Sequence, residues 1–550
     1  MTADTLAALL AARAEDDRPG LLHEDRRWSW RECVAACRRA GAWLDARAAA
    51  PRADLARPGP LHVGVLCDNV PELVFLLGGA ALTGHVVVAL NCTRPVAELT
   101  RDARATDVDV LLWDEPYEAL ARELARDTGV EPVPVSVLDR IPAPETGPDE
   151  REPGDLVMLI FTSGTSGRPR AVRVTQRKVA VPGRSLAALL TPEDVVYCSM
   201  PLFHSAAIMA AYAPAVASGA ALALRSKFSA SGTLPDIRRY GCTYLHYVGK
   251  ALSYVLATPE LPGDAANPLK IAFGNEGSAT ATRRFGERFG CYVIDAFGST
   301  ETAIAITPDP SGPPGCLGRL PDGVEIRDPF TGKRCATAVL ADGRLLNPDE
   351  AIGELVNVTG LGLFEGYYND PEADAERVRD GAFWSGDLAY VDGDGYVFFA
   401  GRGTERLRVD GENMAVAPIE AAVREFAGVV EAAVYPVPDA EAGDQVMAAL
   451  VMSDSGAAFD PAGFAAFLAS RRDLGPKARP RYVRLCRSLP QTPSHKVIKR
   501  ILAEDAWRTS DPVWWWPSAS ARARLLGRED IAAIEGEFVR HGRHHLLEGS

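Results

Sequence analysis

The sequence predicts an α/β protein with a large N-terminal domain of mostly parallel sheets flanked by helices, a β-rich subdomain, and a small, mobile α+β C-terminal domain. Three observations point there. At 550 residues the chain exceeds what one core organises. Its first three hundred residues alternate helical and strand periodicity, the mark of parallel sheets covered on both faces. After about residue 310 short strands alternate with Gly, Pro and Asp turns, and from about 404 a smaller helix-and-strand unit follows. The expected division is 1–402, 403–510, and a tail over 511–550.

The elements follow in order. "WSWRECVAACRRAGAWLDARA" sets Cys33, Cys37, Ala40 and Leu44 on one helical stripe. "HVGVLC" has the apolar content of a buried strand, "VPELVFLLGGAALTG" that of a helix closed by glycine, and "HVVVALN" that of the next strand. "PVAELTRDARATDVDVLLWDE" repeats the step, and "TYLHYVGKALSYVLATP", "LKIAFGNEG" and "GCYVIDAFG" carry it on. Later, "GELVNVTG" and "DLAYVDGDGYVFFAGRG" give the β-rich part. In the small unit "APIEAAVREFAGVVEAAVYPVPD" is helix then strand, "QVMAALVM" a strand, and "DPAGFAAFLASRRDLGPKARPRYVRLCRSLP" helix then strand. The tail holds "DPVWWWP" and an Arg-rich helical stretch.

Composition narrows the function. A formal net charge of −14 disfavours nucleic acid and anionic membranes as partners. The ten cysteines form no Cys-x-x-Cys pair, which suits buried thiols in a reducing, cytoplasmic setting. The N-terminus carries acids where a signal peptide would have a basic start and an apolar block. Residues 205–224 are uncharged over a membrane-spanning length, but they are Ala/Ser/Gly-rich with Pro214 and Gly219 inside. They are expected as a buried helix, a turn and a buried strand. The oligomeric state stays open.

"LVMLIFTSGTSGRPRAVRVT" (156–175) breaks from an apolar run into hydroxyls, glycines and arginines. Glycines let backbone N–H groups turn toward an anion, and hydroxyls add donors. It lacks the spacing of the common phosphate loop. Alone it is either a Ser/Gly turn or a phosphate cradle. Downstream stand "GNEG" (274–277), "DAFGSTETA" (295–303), "GELVNVTG" (353–360), "EGYYNDPEA" (365–373), "FWSGDLAYVDGDGYVFFAGR" (383–402), "ERLRVDGENMAVAPIE" (405–420) and "PQTPSHKVIKR" (490–500). In this order they resemble the adenylate-forming superfamily of acyl-CoA synthetases, adenylation domains and luciferases, over roughly residues 20–505. "PLFHSAA", "YVGKALSYVL" and "DPVWWW" are most similar to bacterial fatty-acyl-CoA ligases of the fatty acid transport protein type.

The resemblance implies roles. Thr162, Ser163, Gly164, Thr165, Ser166 and Gly167 would hold the β- and γ-phosphates of ATP, with Arg170 where the family usually has Lys. Gly274, Asn275 and Glu276 would stack the adenine; Gly298, Ser299 and Thr300 would belong to the ATP site, with the Thr300 hydroxyl on the α-phosphate. Glu301 would bind Mg²⁺, although an acid there could also simply cap a helix. Asp387 and Arg402 would grip the ribose, and His204 would line the acyl pocket unless it is an ordinary core histidine. Lys496 would be the catalytic cation on the small domain, its bland alternative being one of three basic residues on a solvated edge. Thr404 stands where the family's hinge is commonly Asp or Lys, and Gly411 would admit pantetheine, beside an Asp410 that does not favour CoA phosphates.

The chemistry needs these types. A carboxylate must approach a polyanion, and two like charges about 4 Å apart cost roughly 4 kcal/mol at an effective dielectric of 20. Cations near the attack site offset this. The expected reaction is ATP-dependent activation of a fatty or aryl acid to an acyl-AMP with release of pyrophosphate, then transfer to CoA. Two alternatives remain. One is a diazotase of secondary metabolism that activates nitrite for attack by an aryl amine; the other is a non-catalytic nucleotide-binding scaffold.

Overall fold

The computed structural model describes residues 4–49, 59–142, 150–163, 169–249, 251–275, 279–313, 315–341, 344–402, 406–409, 412–440, 444–453, 459–471, 474, 476–491, 497–518, 521–541 and 543–547. The chain forms two compact units. The first comprises Met1–Ala305 with Leu361–Asp380, the second Ile306–Gly360 with Gly381–Ser550.

Among the described residues the first unit contains two sheets. One orders its strands Glu131–Pro134, Val110–Trp113, His62–Leu66, Val86–Ala89, Leu156–Ser163 and Pro169–Thr175. All neighbours are parallel except the last pair. The other runs Tyr292–Asp295, Ile271–Asn275, Tyr244–Val248, Val195–Cys198, Ala221–Leu224, Pro19–His23 and Arg26–Ser29, again antiparallel only at its last pair. Central strands such as His62–Leu66, Val86–Ala89 and Ala221–Leu224 are buried on both faces, as parallel sheets between helices must be. The helix Trp30–Ala49 turns Cys33, Cys37, Ala40 and Leu44 inward, as its periodicity predicts. The helix Pro71–Thr83 stops at Gly84, whose φ of 80° only glycine adopts without strain.

The uncharged stretch from 205 is a broken helix followed by a buried strand. Ser205–Ala207 is α-helical, Ile208–Tyr212 is a π-helix and Ala213–Ser218 is α-helical again. Gly219 caps it and Ala221–Leu224 follows in the sheet. No helix among the described residues is long and apolar enough to cross a membrane.

In the second unit an antiparallel sheet runs Cys316–Arg319, Tyr396–Arg402, Ala382–Val391, Gly353–Asn357 and Val324–Arg327. A hairpin pairs Arg406–Val409 with Glu412–Ala415. A further sheet orders Val429–Pro438, Asp444–Met452, Tyr482–Leu485, Val513–Trp515 and Arg524–Leu525. The stretch from 511, expected as a tail, thus supplies this sheet's last two strands. The cause is apolar: Tyr482 stacks on Trp515 and Trp507, and Phe538 of the helix Arg528–Arg540 packs on Trp507.

Candidate active site

The loop-flanking strands Leu156–Ser163 and Pro169–Thr175 pair antiparallel, with Thr162 opposite Arg170. Gly164, Thr165, Ser166 and Gly167 lie outside the described residues, as does the side chain of Ser163. Arg170 is 5% exposed and its guanidinium ion-pairs with Glu376. It also lies 5.6 Å from the centre of the Tyr367 ring. Its Nη1 is buried without a hydrogen-bond partner among the described residues.

Tyr367 links this corner to Glu301: its hydroxyl donates to Glu301 Oε1 at 2.8 Å. The main chain of Glu301 is held separately, because Lys178 Nζ donates to the Glu301 carbonyl at 3.0 Å. Lys178 lies in the first turn of the helix Gln176–Ala187 and is fully buried. Burial pulls its ammonium down to about 8, against the opposing pull of Glu301 and Glu365. Thr302 adopts a φ of 55°, a conformation that costs a residue with a Cβ on the order of 1 kcal/mol or more.

Thr300 Oγ1 and Ser205 Oγ lie 2.8 Å apart, which brings the Thr300 segment against the start of the broken helix, beside His204. Two residues on, Thr302 Oγ1 donates to Met209 Sδ at 3.7 Å within the π-helix. The His204 ring packs on Phe203, centroids 4.7 Å apart. A π-helical turn widens a helix locally and often marks a functional site. Here it sets the apolar side chain of Met209 against Thr302, next to Glu301.

Gly274 sits between Tyr247 and Asp295 on parallel strands. A Cβ there would meet the Tyr247 carbonyl oxygen at 2.1 Å. Tyr247 donates to Asp295 at 2.9 Å, and the Ala296 amide donates to the Gly274 carbonyl at 2.7 Å. Gly274, Asn275 and the run through Gly298, Ser299, Thr300 and Glu301 therefore lie at or just beyond the carboxyl ends of adjacent strands, where ligands bind in open α/β sheets. Glu276 lies outside the described residues. On the opposite face His246 Nδ1 donates to the Phe273 carbonyl at 3.3 Å, and burial lowers its imidazole to about 4.

In the second unit Asp387 is 6% exposed and stands directly opposite Arg402 across antiparallel strands. The turn before it is braced where the Gly386 amide donates to Glu354 Oε1 at 2.6 Å. The Arg402 side chain, Thr404, Asp410, Gly411 and Lys496 lie outside the described residues.

Sequence reasoning missed Lys178, Tyr367 and Ser205 as parts of the site. Tyr367 and Ser205 fall inside quoted motifs, while Lys178 follows "TQR" with nothing to mark its burial. No group of three or more His, Cys, Asp or Glu among the described residues is arranged to hold a metal. A single carboxylate such as Glu301 nonetheless suits Mg²⁺, which is commonly held by one or two carboxylates together with substrate phosphates.

Comparison with known proteins agrees with this geometry. The family described as "AMP-binding enzyme" matches residues 10–368, and "AMP-binding enzyme C-terminal domain" matches 418–496. The steroid-22-oyl-CoA synthetase of Rhodococcus jostii (strain RHA1) is 43% identical over 556 aligned positions, covering 99% of both chains. The medium/long-chain-fatty-acid–CoA ligase FadD17 of Mycobacterium marinum is 47% identical over 523, covering 94% of this chain and 99% of its own. ATP-bound MatB from Rhodopseudomonas palustris shares the fold with a TM-score of 0.79 at 24% identity, over 92% of this chain and 99% of its own. The chain belongs to the AMP-binding enzyme family and is an ATP-dependent, adenylate-forming ligase of the acyl-CoA synthetase type.

Proposed function

We propose that the protein joins an apolar carboxylic acid, a medium or long fatty acid or the carboxylated side chain of a steroid, to coenzyme A. The acid's carboxylate attacks the α-phosphorus of ATP, pyrophosphate leaves, and the CoA thiol then displaces AMP from the acyl-AMP. The observation that carries this is the Thr302–Met209 contact, which brings an apolar side chain of the π-helical turn against the residue that follows Glu301. A greasy acyl chain would lie along that turn with its carboxyl group beside Thr300. The names of the relatives at 43% and 47% identity point to the same class of acid.

The remaining assignments belong to this reading. Thr162 and the loop to Gly167, with Arg170, would hold the β- and γ-phosphates. Gly274, Asn275 and Glu276 would take the adenine, and Asp387 with Arg402 the ribose. Bound Mg²⁺ would neutralise phosphate charge, with Glu301 as its protein ligand. His204 would border the acyl chain. Lys496 would place its ammonium at the reacting phosphate from a small domain starting near residue 403, hinged at Thr404, and Gly411 would leave room for pantetheine. Asp410 is a mild electrostatic obstacle to CoA, and no structural observation favours the diazotase alternative.

The test is pyrophosphate release with ATP and Mg²⁺ across fatty acids of graded length, a steroid side-chain acid, aryl acids, and nitrite with an aryl amine. Mass spectrometry would detect the thioester. Release with apolar acids and formation of acyl-CoA is the expected result. Release with nitrite alone would replace this reading with the diazotase.

A further inference from the structure

Lys178 is a fully buried ammonium whose hydrogen bond goes to a neutral acceptor, the Glu301 carbonyl, at 3.0 Å. Its other close partner is the face of Phe364, whose ring centre lies 5.8 Å away. Removing a charge from water is costly unless it is well paired. A carbonyl, an aromatic face and the attraction of the Glu301 and Glu365 carboxylates offset only part of that. A neutral side chain of the same length would fill the space with less strain on the fold.

The same residue, Glu301, is gripped a second time. The Tyr367 hydroxyl donates to its carboxylate at 2.8 Å, and Tyr367 packs edge-on to Phe364 with centroids 5.1 Å apart. The neighbouring Gly362 approaches Ala303 so closely that a Cβ would meet its carbonyl oxygen at 2.6 Å, and the Leu363 amide donates to the Thr302 carbonyl at 3.2 Å. The segment from Gly362 to Tyr367 therefore runs along residues 301–303, and Lys178 closes the other side.

We propose that Lys178 is a positioning residue for the adenylation step. It fixes the Glu301–Thr302 peptide through the Glu301 carbonyl, while Tyr367 fixes the Glu301 carboxylate. Main chain and side chain of one residue are thus held by two different elements. This keeps the left-handed turn at Thr302 and aims the Thr300 hydroxyl and the Glu301 carboxylate independently. The inference rests on the acid-activating reading above. A displacement of about 1 Å in a reacting geometry can lower a rate on the order of 10²-fold.

The experiment compares wild type, Lys178→Met and Tyr367→Phe by thermal melting, affinity for a fluorescent ATP analogue, pyrophosphate-release kinetics and Mg²⁺ titration. Lys178→Met is expected to melt at or above the wild-type temperature, because it removes an under-compensated charge. Its kcat should fall on the order of 10- to 100-fold, with nucleotide affinity within about threefold. Tyr367→Phe should keep its melting temperature and need several-fold more Mg²⁺ for half-maximal rate. A lower melting temperature with proportionate loss of activity in Lys178→Met would assign the lysine a structural role and overturn the inference. Wild-type kcat in that variant would overturn it as well. An unchanged Mg²⁺ requirement in Tyr367→Phe would remove the carboxylate half of the grip. If the wild type itself releases no pyrophosphate with any acid, the acid-activating reading fails and this inference with it.

Discussion

A methyl group on Gly274 would sit 2.1 Å from the Tyr247 carbonyl oxygen, so Gly274→Ala must push apart two parallel strands. Overpacking of this kind typically costs about 1–3 kcal/mol. The variant should show a lower urea midpoint and weaker ATP binding; an unchanged midpoint would contradict the close packing. His246 gives a pH-dependent counterpart. Burial holds its imidazole at about 4, against 6.5 for the ordinary group. Between those values the unfolded chain binds a proton that the folded chain refuses, so stability falls as pH drops from 6.5 toward 4. At about 1.4 kcal/mol per pKa unit, wild type should lose about 2 kcal/mol relative to His246→Leu between pH 7 and pH 5. Denaturant titrations at the two values check it, and parallel losses in both proteins would refute it. Site residues differ in how legible they are. Gly274, Thr300 and Glu301, proposed for the site, stand out because each belongs to a short run of unusual residues at a strand end. Lys178 could not, because its role depends on which chain segment folds over it, and residues 364–367 are far away in sequence.

At the scale of elements, the alternation of apolar runs with glycine stops marked the parallel strands, since burial on both faces leaves a continuous apolar signal. The Gly84 and Gly219 caps fell where the periodicity ended for the same local reason. The π-helical turn at Ile208–Tyr212 was invisible, because its residues are ordinary helix formers and the wider turn comes from packing. The C-terminal strands were missed for a different reason. Val513–Trp515 and Arg524–Leu525 are very short strands at one end of the sheet, too short to gain stability except from the sheet they join. Their burial makes a prediction. Ending the chain after residue 510 removes Asp511, an ion partner of Arg484 at 2.8 Å, and strips Trp515 from Tyr482 and Phe538 from Trp507. Each large apolar side chain left exposed forfeits about 1.5–3 kcal/mol. Calorimetry should show the second unit melting earlier or not at all, and protease should cut it under native conditions. A truncated chain with an unchanged melting profile would mean these strands are decoration.

Across the whole molecule, the proposed chemistry has two half-reactions, and only the first brings two anions together at the α-phosphorus. A lysine ammonium offered there matters while charge develops and pyrophosphate departs. Thioester formation from a finished acyl-AMP has no triphosphate to neutralise. Lys496→Ala should therefore slow pyrophosphate release on the order of 10²–10³-fold, the usual loss for one such donor. ATP affinity should change little, because the proposed contacts at Thr162, Asp387 and Arg402 remain. Supplying chemically prepared acyl-AMP with CoA should bypass the lesion, with thioester formed within a few-fold of the wild-type rate. The split between the halves separates catalysis from folding: a misfolded small domain would slow both and lower the melting temperature. Equal loss in both halves with an unchanged melting temperature would mean that Lys496 also serves the thiol step, and that a lysine confined to adenylation is the wrong description. Wild-type rates in both would move the catalytic cation elsewhere in the site.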